Sequence, residues 1–132
     1  MQRSFFIISF SLLFSIPFSF IDKGIVAQNT EQNTTYLLYE IIKKRQAHNY
    51  DEAIDLCQHA LLIDPENSDI LYELFYINFE CDNHEKAFHY LKLAFEKNPN
   101  NKYYKESLIN YYEAFNKHEE AITLILELIK NE

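Results

Sequence analysis

The sequence contains almost no glycine, since Gly24 is the only one among its 132 residues. This absence excludes phosphate-binding loops and dinucleotide-binding fingerprints, which need several glycines at fixed spacing. Basic residues are in the minority, because 12 Lys and Arg stand against 20 Asp and Glu and give a net charge of -8. A surface that binds nucleic acid through its phosphates is therefore not expected. With two cysteines, three prolines and no tryptophan, the chain also lacks the composition of a disulfide framework.

The remaining composition is that of a folded protein. Hydrophobic residues make up 48% of the chain and charged residues 24%. The length allows one domain, or two at most.

The first 27 residues differ from the rest and predict a secretory signal peptide. Arg3 supplies a positive charge, Phe5 to Phe20 is an uncharged and mostly apolar run, and the small residue Ala27 marks the expected cleavage site. Residues 28–33 would then form a short polar linker before the domain. The alternative is an uncleaved anchor helix, which would place the protein at a membrane, although a spanning helix needs about 20 apolar residues. We therefore expect an exported protein that is periplasmic, in the cell envelope or secreted.

The second part of the chain repeats itself at one interval. Ala53, Ala87 and Ala121 lie 34 residues apart, and each follows a polar stretch with at least one acidic residue. Pro65 and Pro99 lie at the same interval. Several kinds of residue that recur at the same spacing indicate a helical repeat, and we call each set of equivalent positions a column of the repeat.

Each repeat predicts two helices. Apolar residues at three- and four-residue steps, such as Leu71, Leu74 and Phe75, predict the first helix of a unit. The second carries alanines and leucines at similar steps, as at Ala87 and Leu91, and the small alanines let two helix axes approach closely. Each proline then ends the second helix, because it lacks an N–H and restrains the residue before it.

This pattern resembles the tetratricopeptide repeat family, whose units are 34-residue helix–turn–helix elements. The resemblance covers about residues 34–132, as repeats 34–67, 68–101 and 102–132. It implies an all-α fold, namely a right-handed α-solenoid of antiparallel helix pairs with about six helices. The family's early tryptophan is replaced here by Leu37, Leu71 and Lys105. Bulky residues replace the glycine of its first helix, so the helix pairs should lie slightly further apart.

The resemblance also implies a binding groove, because one face of the first helices forms the inner wall in this family. At the positions that correspond to this inner wall, the chain has Leu38, Ile42, Arg45, Tyr72, Tyr76, Phe79, Tyr103, Glu106 and Asn110, and the resemblance implies that these are the groove residues. Tyr72, Tyr76 and Phe79 form an aromatic stripe that either faces a ligand or packs against a neighbouring helix. Family members that bind the acidic tails of chaperones carry Lys and Asn at positions that are apolar or aromatic here. An apolar or aromatic segment is therefore the better expected ligand.

The last predicted helix, Glu119 to Lys130, is apolar around most of its circumference. A helix of this kind should be buried on more than one side. The predicted association face is Ile122, Leu124, Leu126 and Ile129. It either binds a partner or a second copy, or it belongs to a longer array of repeats of which this chain is a piece.

Chemistry is not expected from the remaining polar residues. Cys57 with His59, and Cys81 with His84, have spacings that zinc accepts, but Cys57 falls in a packing column of the repeat. A disulfide between the two cysteines would require their α-carbons to lie within about 7 Å. Neither a nucleophile elbow nor a metalloprotease helix is present. We therefore expect a non-catalytic scaffold without cofactor or metal, which binds a protein or peptide partner.

Overall fold

The structure is a computed structural model that describes residues 18–130. Within this range the chain forms helices and no strand. The helices are α1 (Phe18–Gln46), α2 (Tyr50–Ile63), α3 (Ser68–Glu80), α4 (His84–Lys97), α5 (Lys102–Ala114) and α6 (His118–Lys130).

Consecutive helices pack as pairs, and the pairs stack in a row. α1 packs on α2, α3 on α4 and α5 on α6, while α2–α3 and α4–α5 contacts join one pair to the next. α1 also contacts α3 directly. For residues 18–130 this arrangement confirms the predicted all-α solenoid of antiparallel helix pairs.

The turn inside each pair has the same backbone structure in all three repeats. His48, Asp82 and Asn116 lie 34 residues apart, and each has a positive φ of 57°. In the middle repeat the N–H of Asn83 donates to the carbonyl of Asn78 at 2.8 Å, and the N–H of Asp82 donates to that of Phe79 at 3.1 Å. These two bonds form a Schellman motif, which satisfies carbonyls at the end of α3.

Glycine is the residue that tolerates such a backbone best, and no repeat supplies it here. We expect Asp82→Gly to stabilise the fold by about 0.5–1 kcal/mol, because the left-handed conformation then no longer crowds a β-carbon. Asp82→Ala is the matched control, since it keeps the β-carbon and removes the same carboxylate. Urea unfolding followed by circular dichroism measures both variants. Equal stability of the two would contradict this account.

The turns between pairs use proline and asparagine. Pro65 follows the end of α2, and the Asn67 side chain caps α3 by accepting a hydrogen bond from the N–H of Ile70 at 3.2 Å. The Asn101 side chain caps α5 in the same way, through the N–H of Tyr103 at 3.0 Å. These caps fix where each new repeat begins.

The core follows the repeat columns. The predicted alanines of the second helices are fully buried, as is Cys57, so the helices of a pair lie close together. One cluster joins the first pair to α3 and consists of Leu37, Ile41, Ala53, Cys57, Ala60, Ile70, Leu74 and Ile77. A second joins the middle pair to α5 and consists of Phe75, Ala87, Leu91, Leu108 and Tyr111. The hydrophobic surfaces of the first and second pairs are therefore covered by the pair that follows each of them.

α1 is longer than the repeat requires. Residues 28–33, which we expected to form a polar linker, have helical backbone and lie within α1. Most of the predicted signal peptide lies outside the described residues, and its cleavage after Ala27 stays a prediction. In the described part of the chain, no helix has a stretch long and apolar enough to span a bilayer.

Candidate protein-binding groove

The nine predicted groove residues lie on the first helices of the three pairs, α1, α3 and α5. Those of α1 are partly buried, and so are Tyr72 and Tyr76 of α3. Phe79 is exposed, and the three residues of α5 are also exposed, with Tyr103 at 72%. The predicted set therefore contains a half-buried part on α1 and α3 and an exposed part on α5.

Arg45 is the centre of a charged cluster between α1 and α3. Its Nε donates to Oε2 of Glu73 at 2.7 Å, and its Nη1 lies 3.5 Å from Oε1 of Glu80. Its guanidinium also lies 5.0 Å from the centre of the Tyr76 ring. One cation thus faces two carboxylates, so the cluster carries excess negative charge and Arg45 is not available to an acidic ligand.

Tyr72 joins the second repeat to the third. Its ring lies 4.6 Å from that of Tyr104 on α5, and its hydroxyl lies 2.5 Å from the hydroxyl oxygen of Ser107. Burial raises the pKa of Tyr72 above its usual value. For this member of the aromatic stripe, the contacts favour packing against a neighbouring helix over contact with a ligand.

Tyr76 and Phe79 are better placed for binding. The Tyr76 ring lies edge-on to that of Tyr72 at 4.9 Å, and its hydroxyl lies 3.3 Å from the Tyr72 hydroxyl. The exposed Phe79 ring lies 5.9 Å from the buried Phe75. Both side chains are therefore held by aromatic neighbours and keep surface that a partner can cover.

Two residues of α5 outside the predicted set contact the aromatic stripe. Tyr104 and Ser107 both contact Tyr72, and the sequence did not single out either of them. Tyr104 also donates to a carboxylate oxygen of Asp69, and burial raises the pKa of Tyr104 to about 12. Glu106 pairs instead with Lys102, with 3.8 Å between Oε1 and Nζ.

Sequence reasoning also missed Glu73 and Glu80. Glu73 follows Tyr72 directly, and Glu80 lies four residues after Tyr76. Helical periodicity therefore places both acids beside the stripe. Their signal was present in the spacing, but the buried pairing with Arg45 depends on how α1 packs against α3.

The cysteine and histidine candidates are not brought together. Both cysteines are free, with Cys57 buried in the first core cluster and Cys81 exposed. Burial raises the pKa of Cys57 to about 12, so its thiol stays protonated at neutral pH. Among residues 18–130, no group of three or more His, Cys, Asp or Glu side chains is arranged to hold a metal ion.

Comparison with known families decides the assignment. The family model described as tetratricopeptide repeat matches residues 44–109, which is half of the chain. The chain belongs to the tetratricopeptide repeat family. Members of this family are typically non-catalytic scaffolds for protein interactions, and a scaffold role of this general kind follows for this tetratricopeptide protein.

Solved structures show the same fold. A MamA with an arginine-to-glutamate substitution is 19% identical, with a TM-score of 0.60 over 86% of this chain and 90% of that one. A MamA with an aspartate-to-lysine substitution is 20% identical, with a TM-score of 0.59 over 86% of this chain and 70% of that one. At this level of identity the likeness concerns the tetratricopeptide fold alone. No curated protein matches the chain.

Proposed function

We propose that this tetratricopeptide protein is an exported, non-catalytic adaptor that binds a segment of another protein along its first helices. The observation that carries this proposal is the surface of Tyr76 and Phe79, two aromatic side chains that are held in place by neighbours yet remain partly or largely exposed. Rigid aromatic side chains are common anchors of protein interfaces.

The charges beside these rings select the kind of segment. Arg45 is already paired with Glu73 and Glu80, so the cluster holds one more carboxylate than cations. A segment that carries aromatic or aliphatic side chains together with Lys or Arg therefore fits better than an acidic one.

The test uses a displayed library of random peptides, followed by fluorescence anisotropy with the enriched peptides. We expect enrichment of peptides with aromatic and basic residues. We also expect Tyr76→Leu combined with Phe79→Ala to weaken their binding by about tenfold or more, which corresponds to the loss of both aromatic anchors. Tyr36→Ala is the matched control, because Tyr36 is an exposed tyrosine of α1 outside the predicted groove.

Two results would contradict the groove. One is equal binding by the double variant and the wild type, and the other is an equal loss in the Tyr36→Ala control. Tyr72 is left intact in this design because its contacts with Tyr104 and Ser107 join two repeats.

Export is the second part of the proposal, and its support is in the sequence. The order of Arg3, an apolar run and the small residue Ala27 is that of a secretory signal peptide. We expect the mature protein to begin at Gln28, as read by mass spectrometry of the purified chain. Ala27→Arg should leave the precursor uncut, since the cleavage site prefers a small residue. A wild-type protein that keeps residues 1–27 would contradict cleavage.

A further inference from the structure

An apolar stripe on α6 faces outward. Ile122, Leu126 and Ile129 follow one another at four- and three-residue steps, so they lie along one side of the helix. Their exposed fractions are 55%, 61% and 66%. The fourth residue of the predicted association face, Leu124, does not lie on this side, because it is partly buried and packs against the second core cluster.

The repeat columns show what is unusual about this stripe. Ile122 and Ile129 occupy the columns of Phe88 and Phe95, which are partly buried against the core of the middle repeat. Leu126 occupies the column of Gln58 and Lys92, which are polar and exposed. A further repeat stacked on α6 would leave that column facing solvent, as it does in the first two repeats. Leu126 extends Ile122 and Ile129 into one apolar stripe, unlike the exposed Leu62 of α2, which is not part of such a stripe, and it is this stripe that indicates a partner along the outer side of α6.

The charges at the two ends of the stripe complement each other. Glu119 lies in the first turn of α6 and Lys130 in its last turn. At 100° per residue both fall on the same flank of the stripe. When two copies of α6 pack antiparallel, Ile122 of one meets Ile129 of the other. In this register Glu119 of each copy lies two residues, or about 3 Å, along the axis from the position that faces Lys130 of the other, and the long lysine side chain can span that distance.

From this self-complementary pattern we propose that α6 is the interface of a two-fold symmetric dimer, in which a second copy of this chain packs its own α6 antiparallel across the stripe. The pattern is isologous, since each half of the surface fits the other half of the same surface. Leu126 lies near the centre of the stripe and meets its own copy at the two-fold axis. The dimer leaves the first helices free, so it is independent of the groove.

A single pair of helices buries less surface than a standard protein interface, so the dimer should be of micromolar affinity or weaker. Sedimentation velocity of the full chain over a concentration series measures it. Leu126→Lys should weaken the association by about tenfold or more, because it places a charge in the buried centre of the stripe. Leu62→Lys is the matched control, since Leu62 is an exposed leucine of α2 with no place in the interface. It should leave the association unchanged.

Charge exchange gives the sharper test. Glu119→Lys alone and Lys130→Glu alone should each weaken the dimer, and the chain that carries both should recover it, because both pairs are then restored with reversed sign. A short thiol-reactive cross-linker should join two copies of Leu126→Cys in a Cys81→Ser background, and should not join two copies of Leu62→Cys.

Three results would overturn the proposal. They are a wild-type chain that stays monomeric at millimolar concentration, an association that Leu126→Lys and Leu62→Lys affect equally, and a charge exchange without recovery. The second result would point to contacts elsewhere in the chain, and the third to an arrangement of copies other than antiparallel. None of these results depends on peptide binding, so they leave the groove proposal as it stands.

Discussion

Replacement of Leu91 by alanine is expected to destabilise the fold by about 2–5 kcal/mol, the range measured when a fully buried leucine is truncated. Leu91 is completely buried in α4, in the cluster that joins the middle pair to α5. The lost contacts come from the removed methyl groups and from the cavity that the close-packed neighbours cannot fill. A domain of this size has a total stability of about 5–15 kcal/mol, so the loss is a large fraction of it.

The position of Leu91 in the row of repeats adds a second effect. Each repeat is stabilised by the packing of its own two helices and by its neighbours, and the middle repeat contacts both others. Weakening it should therefore reduce cooperativity, so that the first and last pairs unfold in separate steps. Urea unfolding followed by near- and far-ultraviolet circular dichroism measures this effect. We expect a lower dependence of the unfolding free energy on urea concentration, or near- and far-ultraviolet transitions that no longer coincide.

Two control variants bracket this prediction. Leu62→Ala removes a leucine that is 83% exposed and should change stability by less than about 0.5 kcal/mol. Ile125→Ala removes the residue in the same repeat column as Leu91, which is only partly buried in α6. The loss of stability in Ile125→Ala should therefore lie between those of Leu62→Ala and Leu91→Ala. A Leu91→Ala loss below about 1 kcal/mol would contradict the role assigned to this cluster.

The repeat could be predicted from the sequence because it depends on short-range features. Ala53, Ala87 and Ala121 recur at one spacing because the close contact of two helices requires a small side chain at that point. Pro65 and Pro99 mark the ends of helices for local reasons that involve no other part of the chain. Helix number, pairing and the buried face of each second helix follow from these features.

The linker was harder to predict, because polar composition does not by itself end a helix. Residues 28–33 contain neither proline nor glycine, and the next residues that end α1 lie after Gln46. The helix therefore continues through the polar stretch.

The contacts within the groove could be predicted only in part from the sequence. Register places Tyr72, Tyr76 and Tyr103 on one side of their helices, but it does not give the angle and distance between neighbouring pairs. The structure brings Tyr104 and Ser107 of α5 to Tyr72, and the sequence did not indicate these contacts. Contacts within a helix follow from sequence spacing, whereas contacts between pairs depend on how bulky residues at the interface hold them apart.

Removal of Glu73 is the second large effect that we expect. The Arg45–Glu73 pair is well shielded from water, since the two side chains are 18% and 10% exposed. Glu73→Ala leaves a half-buried guanidinium without its nearest carboxylate, and the loss of one partner of a buried pair costs about 3–5 kcal/mol. Arg45 still has Glu80 at 3.5 Å and the Tyr76 ring, so we expect a smaller destabilisation of about 1–3 kcal/mol.

A double-mutant cycle separates the pair from its surroundings. Arg45→Met combined with Glu73→Leu removes both charges and keeps most of the volume, so its stability should return to within about 1 kcal/mol of the wild type. The exposed pair of Lys44 and Glu52 is the control, and Glu52→Ala should cost less than about 1 kcal/mol, because solvent screens that pair. Urea unfolding at low and high salt measures these three variants together with Arg45→Met and Glu73→Leu alone, the two single variants that complete the cycle. If Glu73→Ala proved neutral, or the double variant were the least stable, Arg45 would not be held by Glu73 in solution. Glu73 and Glu80 would then lie beside Tyr76 without a cation between them. A groove of that kind would prefer basic segments more strongly than a groove in which Arg45 neutralises one of the two carboxylates.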